Sequence, residues 1–201
     1  MADCEGYSLL SCDEDFALLH EHRAWADAVM VGSNTAVKDN PRLNVRRAWG
    51  RSGYRVVVDS RLRVRPDNRM FSVPGKGVLI TTEDHSPEEL EPYVRAGIRV
   101  LTAGRGRVDL RLALARLYSE LGVERLLVEG GGALIYGVLE SCLARELHVT
   151  IAPSVYGCGT SLAWGDSSLR PRLGLALRSA RRMCGSWMHL EYIISCNNPL
   201  V

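Results

Sequence analysis

Residues 125–134 read Arg125-Leu126-Leu127-Val128-Glu129-Gly130-Gly131-Gly132-Ala133-Leu134. A short apolar run ends in an acid, three glycines follow, and an apolar helical segment then runs over 133–143. This is a buried strand, a tight turn and a helix start. Strands that read as continuous apolar runs belong to parallel sheets covered on both faces. Glycines let backbone N–H groups come close to a ligand, and a helix N-terminus favours an anion. Glu129 stands at the carboxyl end of the strand, where open α/β sheets bind ligands. The glycines alone fit a plain strand-to-helix connection equally well.

Outward from this segment the same alternation repeats. Residues 28–32, 54–59, 77–81, 98–101 and 146–152 read as further strands. Ser11-Cys12-Asp13-Glu14 fits a capping box that opens a helix through about residue 26, with Phe16, Leu19 and Arg23 on one face. Ser86-Pro87-Glu88-Glu89 supplies an N-cap, a proline at the first helical position and two acids in the first turn. Asp109 caps a helix that Gly122 ends. Residues 33–52 read as a polar stretch of turn formers. The tail changes character: 173–183 and 187–195 read as β segments joined at Gly185-Ser186. The expected class is α/β, one domain over 1–201, a mostly parallel sheet with helices on both faces and a C-terminal antiparallel hairpin at one edge.

The composition excludes several classes. The chain has 201 residues, long enough to bury a core, with 46% hydrophobic and 24% charged residues. Lys+Arg is 25 and Asp+Glu 23, a net +2, which rules out a polycation that coats nucleic acid. The charge is uneven. Residues 1–30 carry seven acids and one arginine, whereas 42–69 carry nine arginines against Asp59 and Asp67. That basic window lacks interleaved aromatics, which favours a solvated or small-anion role over RNA binding. The six cysteines show no C-x-x-C pair and are expected as free thiols of a reducing compartment. With no secretory signal and no apolar span, the expected location is the cytoplasm, with no membrane or nucleic-acid partner.

Two more segments carry candidate chemistry. Residues 31–46 leave a strand end and pack hydroxyl, amide, carboxylate and guanidinium groups together, as a ligand loop does. Val58-Asp59-Ser60-Arg61 sets a hydroxyl and a guanidinium at another strand end; a phosphate site and a capped turn explain it equally. The dinucleotide fingerprint fails, because it needs a glycine where Ile135 stands, and the P-loop fails at Gly77. No G-x-S-x-G occurs. No metal site is expected: His20 and His22 point in different directions on a helix, and no cysteine pair has zinc spacing.

Taken together, L-L-S-C-D-E-D at 9–15, L-L-H-E-H-R-A-W-A-D-A-V-M-V-G at 18–32, G-S-N-T-A-V-K-D-N-P-R-L-N-V-R at 32–46, R-V-V-V-D-S at 55–60, L-L-V-E-G-G-G at 126–132 and I-A-P-S-V-Y-G at 151–157 resemble the riboflavin-biosynthesis pyrimidine reductases. The resemblance covers about 6–195 and is most specific at the D-N-P-x-L-x-x-R loop and the V-E-G-G turn. It implies a three-layer dihydrofolate-reductase-like fold, commonly a homodimer. It implies NADPH as cofactor, delivering hydride to C1 of a ribosylamino sugar, with the open-chain imine as natural acceptor. By motif position it assigns Thr35, Asp39 and Ser60 to the cofactor, with the backbone of Gly131, Gly132, Ala133, Leu134, Ile135 and Tyr136 around its phosphates. It assigns Arg23, Leu43, Arg46 and Glu129 to a phosphorylated pyrimidine substrate, whose 5′-phosphate suits a guanidinium fork. Arg61 is a candidate for the cofactor 2′-phosphate. No residue stands out as the general acid.

The chain departs from the family pattern in two places. The S-x-D-G-x-I-A strand that opens such domains has no counterpart, since Met1-Ala2-Asp3 stands where it would end; Met1 is expected to be internal to a longer protein. Arg145-Glu146-Leu147 replaces the usual Asp-Glu-Leu. No deaminase signature (H-x-E with P-C-x-x-C) occurs, which favours a standalone reductase and so 2,5-diamino-6-ribosylamino-4(3H)-pyrimidinone 5′-phosphate as substrate. The alternatives are reduction of 5-amino-6-(5-phosphoribosylamino)uracil, another dihydrofolate-reductase-like reaction, or a truncated, non-catalytic nucleotide-binding protein.

Overall fold

The computed structural model describes residues 2–3, 6–7, 10–155, 159, 161–165 and 173–196. Two short strands, β1 (Ala2–Asp3) and β2 (Gly6–Tyr7), pair with each other, and α1 (Asp13–Trp25) follows. The alternating part runs β3 (Ala28–Gly32), α2 (Ser33–Asp39), β4 (Tyr54–Val58), a 3-10 turn (Arg69–Phe71), β5 (Gly77–Thr81), α3 (Pro87–Arg95), β6 (Arg99–Thr102), α4 (Leu110–Leu121), β7 (Leu126–Gly130) and α5 (Gly132–Glu140). Then come β8 (Glu146–Ile151), β9 (Gly174–Met183) and β10 (Trp187–Ser195).

β3 to β7 form a five-stranded parallel sheet in the order β6-β5-β4-β3-β7. Successive side chains point to opposite faces, and each face has its own core. Met30, Val56, Ile80 and Leu101 pack with Ala113 and Leu117 of α4 and Leu134 and Val138 of α5. Val29, Val31, Val57 and Leu79 pack on the other side with Ala36 of α2, Tyr93 of α3, Met70 and Phe71. The three-layer α/β expectation holds.

The hairpin differs in its partner. β9 and β10 pair as expected, but β10 also pairs with β8, giving a separate antiparallel sheet in the order β8-β10-β9. Strands of this sheet are half exposed, as antiparallel sheets tolerate and buried parallel ones do not.

The helix punctuation is local chemistry. Ser86 and Glu89 form the capping box over α3. Asp109 accepts from Leu112 N at 3.0 Å, and Gly122 ends α4 at φ 65°. At α1 the N-cap is Cys12 rather than Ser11, with no side-chain cap. α2 falls inside the expected loop 33–52; its polar residues hid a short helix that buries only Ser33 and Ala36.

The cysteine expectation is overturned. Cys12 pairs with Cys184 in the β9–β10 turn, and Cys142 after α5 pairs with Cys196 after β10. Partners lie 172 and 54 residues apart, so no local spacing announces them. The expectation of a reducing compartment loses its footing in unpaired thiols; Cys4 and Cys158 lie outside the described residues. Among the described residues, no helix is long and apolar enough to cross a membrane.

Candidate active site

The sheet order reverses at β3: β4, β5 and β6 lie to one side and β7 to the other. In an open sheet the crevice at the carboxyl ends of such strands is where ligands bind. A cavity of about 620 Å³ opens there, lined by Gly32 after β3, by Val58, Asp59 and Ser60 at the end of β4, and by Gly131 after β7.

Each wall follows from its sequence. Asp59, 1% exposed, accepts from Val64 N (2.8 Å) and Arg61 N (3.3 Å), folding the loop after β4 back on itself. Arg63 donates to Ser33 Oγ (2.6 Å) and Asn34 Oδ1 (2.8 Å), tying that loop to the exit of β3. Ser60 Oγ accepts from Val108 N at 3.1 Å, which fixes the loop carrying Gly106 and Arg107.

The far wall is the start of α5. Its N-cap, Gly131, offers no side-chain cap, so the first N–H groups of the helix are open to an anion. A Cβ at Gly131 would lie 2.9 Å from Thr35 Oγ1, and one at Gly132 would lie 2.3 Å from Trp164 Cδ1. A side chain at either position would force its neighbour to shift. The peptide between Gly130 and Gly131 is cis. Trp164 N donates to Gly132 O at 3.2 Å and brings Trp164 and Gly165 to the rim.

A second group of residues meets just upstream on β7. The β3–β7 register shifts so that Met30 pairs with Val128 and Val31 with Gly130, leaving Glu129 as an extra, bulged residue. Its carboxylate is gripped by both branches of Arg23 of α1: Nε to Oε1 at 2.6 Å and NH2 to Oε2 at 2.7 Å, with the two side chains 9% and 13% exposed. Arg23 NH1 also donates to Asn44 O at 3.2 Å. Leu43, buried and at φ 50°, turns the chain here. The amide oxygen of Asn44 is buried without a partner among the described residues. Arg46 N donates to His20 Nδ1 at 3.1 Å, while the Arg46 side chain stays exposed. Burial, then Arg23 and Arg46, push the His20 imidazole below its usual pKa, in keeping with a ring that accepts.

The residues singled out from sequence thus fall into two neighbouring groups. Ser60, Gly131, Gly132, Ala133, Leu134 and Tyr136 line the cavity, as does Arg61, and Thr35 stands directly behind Gly131. Asp39, at the far end of α2, and Ile135 are not among the lining residues. Arg23, Leu43 and Glu129 come together with the backbone of Arg46. Ser33, Asn34, Arg63, Arg107 and Trp164 also line the cavity and were not singled out. Ser33 and Asn34 sat within the quoted polar loop, but nothing local marks Arg63 or Arg107 among so many arginines. One arginine of the basic window, Arg55, is 1% exposed and donates to Val73 O at 3.0 Å, contrary to the solvated or small-anion role expected of that window.

The sequence model of the RibD C-terminal domain matches residues 1–188. The chain is 41% identical over 160 residues to the 2,5-diamino-6-ribosylamino-4(3H)-pyrimidinone 5′-phosphate reductase of Methanothermobacter thermautotrophicus, covering 78% of this chain and 73% of that protein. It is 32% identical over 172 residues to the reductase of the same name from Aquifex aeolicus, covering 83% and 76%. Among solved structures, Acinetobacter baumannii RibD superposes with a TM-score of 0.80 at 20% identity, over 96% of this chain and 54% of that one. That last likeness speaks for the fold.

Proposed function

The chain belongs to the RibD C-terminal domain family, and from that membership we propose that it reduces 2,5-diamino-6-ribosylamino-4(3H)-pyrimidinone 5′-phosphate to the ribitylamino product with NADPH. The observation that carries the reading is the junction at Gly130. One peptide upstream stands the Arg23–Glu129 pair; one downstream begins the glycine cradle under α5.

The cradle suits a dinucleotide diphosphate. It joins bare helical N–H groups to two positions where a Cβ would press on a neighbour, and Arg61 and Arg107 line the same cavity. When bound, NADPH supplies the hydride that reduces the sugar C1. The protein's part is placement and shielding. Arg61 and Arg107, which line the cavity, would hold the cofactor 2′-phosphate and so set a preference over NADH. Thr35 supports the cradle from behind. On the substrate side, Arg46 meets the 5′-phosphate. Both oxygens of Glu129 already accept from Arg23, which suits Glu129 to orienting Arg23 and sugar hydroxyls rather than to donating a proton. The chain acts as a homodimer; β8, β9 and β10 leave Ile151, Leu177 and Ile193 substantially exposed for self-association.

The test is loss of reduced-nicotinamide absorbance with each pyrimidine in turn. The diaminopyrimidinone is expected to be turned over with a kcat/KM at least ~10-fold above that of the aminouracil. Oxidation of NADPH with neither compound would overturn the proposal, and a preference for the aminouracil would correct the substrate.

A further inference from the structure

Three imidazoles from distant parts of the chain meet where α1 packs on the antiparallel sheet. His22 comes from the last turn of α1, His148 from β8 and His189 from β10. One ring nitrogen of each lies within 4.8 Å of those of the other two. None of the three lines the cavity at the ends of β3, β4 and β7.

The surrounding hydrogen bonds fix where the ring protons sit. Thr150 has one hydroxyl proton and donates it to Asp15 Oδ1 at 2.6 Å. Its oxygen therefore accepts from His189 Nδ1, 3.0 Å away, which puts the proton of that ring on Nδ1 and leaves Nε2 a bare lone pair. Glu146 Oε2 lies 3.3 Å from His148 Nε2 and accepts from it, leaving His148 Nδ1 bare. The two bare nitrogens face each other at 3.4 Å. Two lone pairs repel unless a cation lies between them. The third nitrogen, His22 Nε2, is buried with no partner among the described residues.

The spacing has a chemical meaning. Zinc–nitrogen bonds of about 2.0–2.1 Å at tetrahedral angles put two ligand nitrogens about 3.3–3.4 Å apart. Metal-bound histidines also donate their second N–H to a carboxylate or another fixed acceptor, as His148 does to Glu146 and His189 to Thr150. From this geometry we propose that His22, His148 and His189 bind one Zn²⁺-class transition-metal ion, a structural site separate from the reductase centre. His22, whose ring nitrogen lies within 4.8 Å of the other two, completes the triad. Water or Glu191, whose Oε1 is 3.9 Å from His189 Nε2, takes the fourth position. Asp15, Glu146 and Glu191 supply the negative charge that the ion needs.

Bound there, the ion would clip α1 to β8 and β10. The residue after His22 is Arg23, so the clip holds the arginine that grips Glu129.

The test uses the tag-free full chain, stripped with a chelator and titrated with Co²⁺ as an optical probe and then with Zn²⁺. One Co²⁺ per chain is expected, with the intense visible bands of a four-coordinate site, no thiolate charge-transfer band, and displacement by Zn²⁺. Each of His22→Gln and His148→Gln, both at half-buried positions, is expected to weaken binding at least ~100-fold. With free Zn²⁺ about 100 times above Kd, Tm should rise by roughly 5–10 °C in the wild type and not in the variants. A wild-type protein without four-coordinate Co²⁺ bands would overturn the proposal and leave a shared proton between the rings. A thiolate band, or undiminished affinity in both folded variants, would overturn it by placing the metal elsewhere. The wild-type spectrum decides even where a variant fails to fold.

Discussion

At the scale of single residues, Arg23 and Glu129 matter most. A bidentate pair this buried contributes little beyond an apolar replacement of the same shape, yet losing one half leaves the other charged and desolvated. Glu129→Gln is therefore expected to lower stability by about 3 kcal/mol or more, read as a fall in the urea midpoint at unchanged slope. Arg23→Lys should fall between wild type and that variant, because an ammonium cannot fill both oxygens. In the reductase assay, Glu129→Gln should lose kcat/KM for the pyrimidine at least ~10-fold while NADPH still binds. An unchanged midpoint would mean that solvent reaches the pair freely. Arg55 makes a different point. Residue type and neighbours put it on the surface, yet it is buried because β4 is a central strand and both of its faces are covered.

At the scale of elements, the start of α5 carries the cofactor reading. Gly132→Ala drives a methyl group into the Trp164 ring, so the indole or the helix start must shift. A cost of about 1–3 kcal/mol in stability and a rise of at least ~10-fold in the NADPH dissociation constant are expected, by calorimetric titration. Unchanged cofactor affinity would detach this turn from cofactor binding. What sequence could foretell of these elements follows a physical line. Strands of continuous Val, Ile and Leu, the capped helices α3 and α4, and both β segments of the hairpin were legible, because short-range chemistry determines them. α2 was not, since Ser33, Asn34 and Thr35 form a helix only through packing of Ala36 beneath the sheet. The glycine cradle and Ser60 were legible as strand-end motifs. Arg63 and Arg107 were not, because their reach into the cavity is set by hydrogen bonds of Asp59 and Ser60. The histidine triad and both disulfides join residues that no local spacing connects.

At the scale of the whole molecule, the two strands that frame the site are locked at their opposite end. Asp27, just before β3, accepts from the backbone N–H groups of Glu124 (3.2 Å) and Arg125 (2.9 Å) and from the Arg125 guanidinium (2.8 Å). The hydrogen bond from Arg125 is the main reason its carboxyl sits below the ordinary pKa of 3.8. A depressed carboxylate stabilises the fold above the unfolded value and loses that contribution as pH falls through the lower, folded one. The stability difference between wild type and Asp27→Asn should thus be full at neutral pH and shrink only below about pH 4, measured as urea midpoints across pH. A difference that stays constant down to pH 2 would remove Asp27 from the acid response. α1 ties the remaining layers together. Cys12 precedes it and is covalently joined to the β9–β10 turn, His22 faces β8 and β10, and Arg23 faces β7. Each residue added to a helix advances it about 1.5 Å and turns it about 100°. One codon gained or lost between Cys12 and His22 would therefore swing both side chains off their targets together. The span from Cys12 to Arg23 is a ruler of fixed length, and drift in the gene's length has to fall elsewhere.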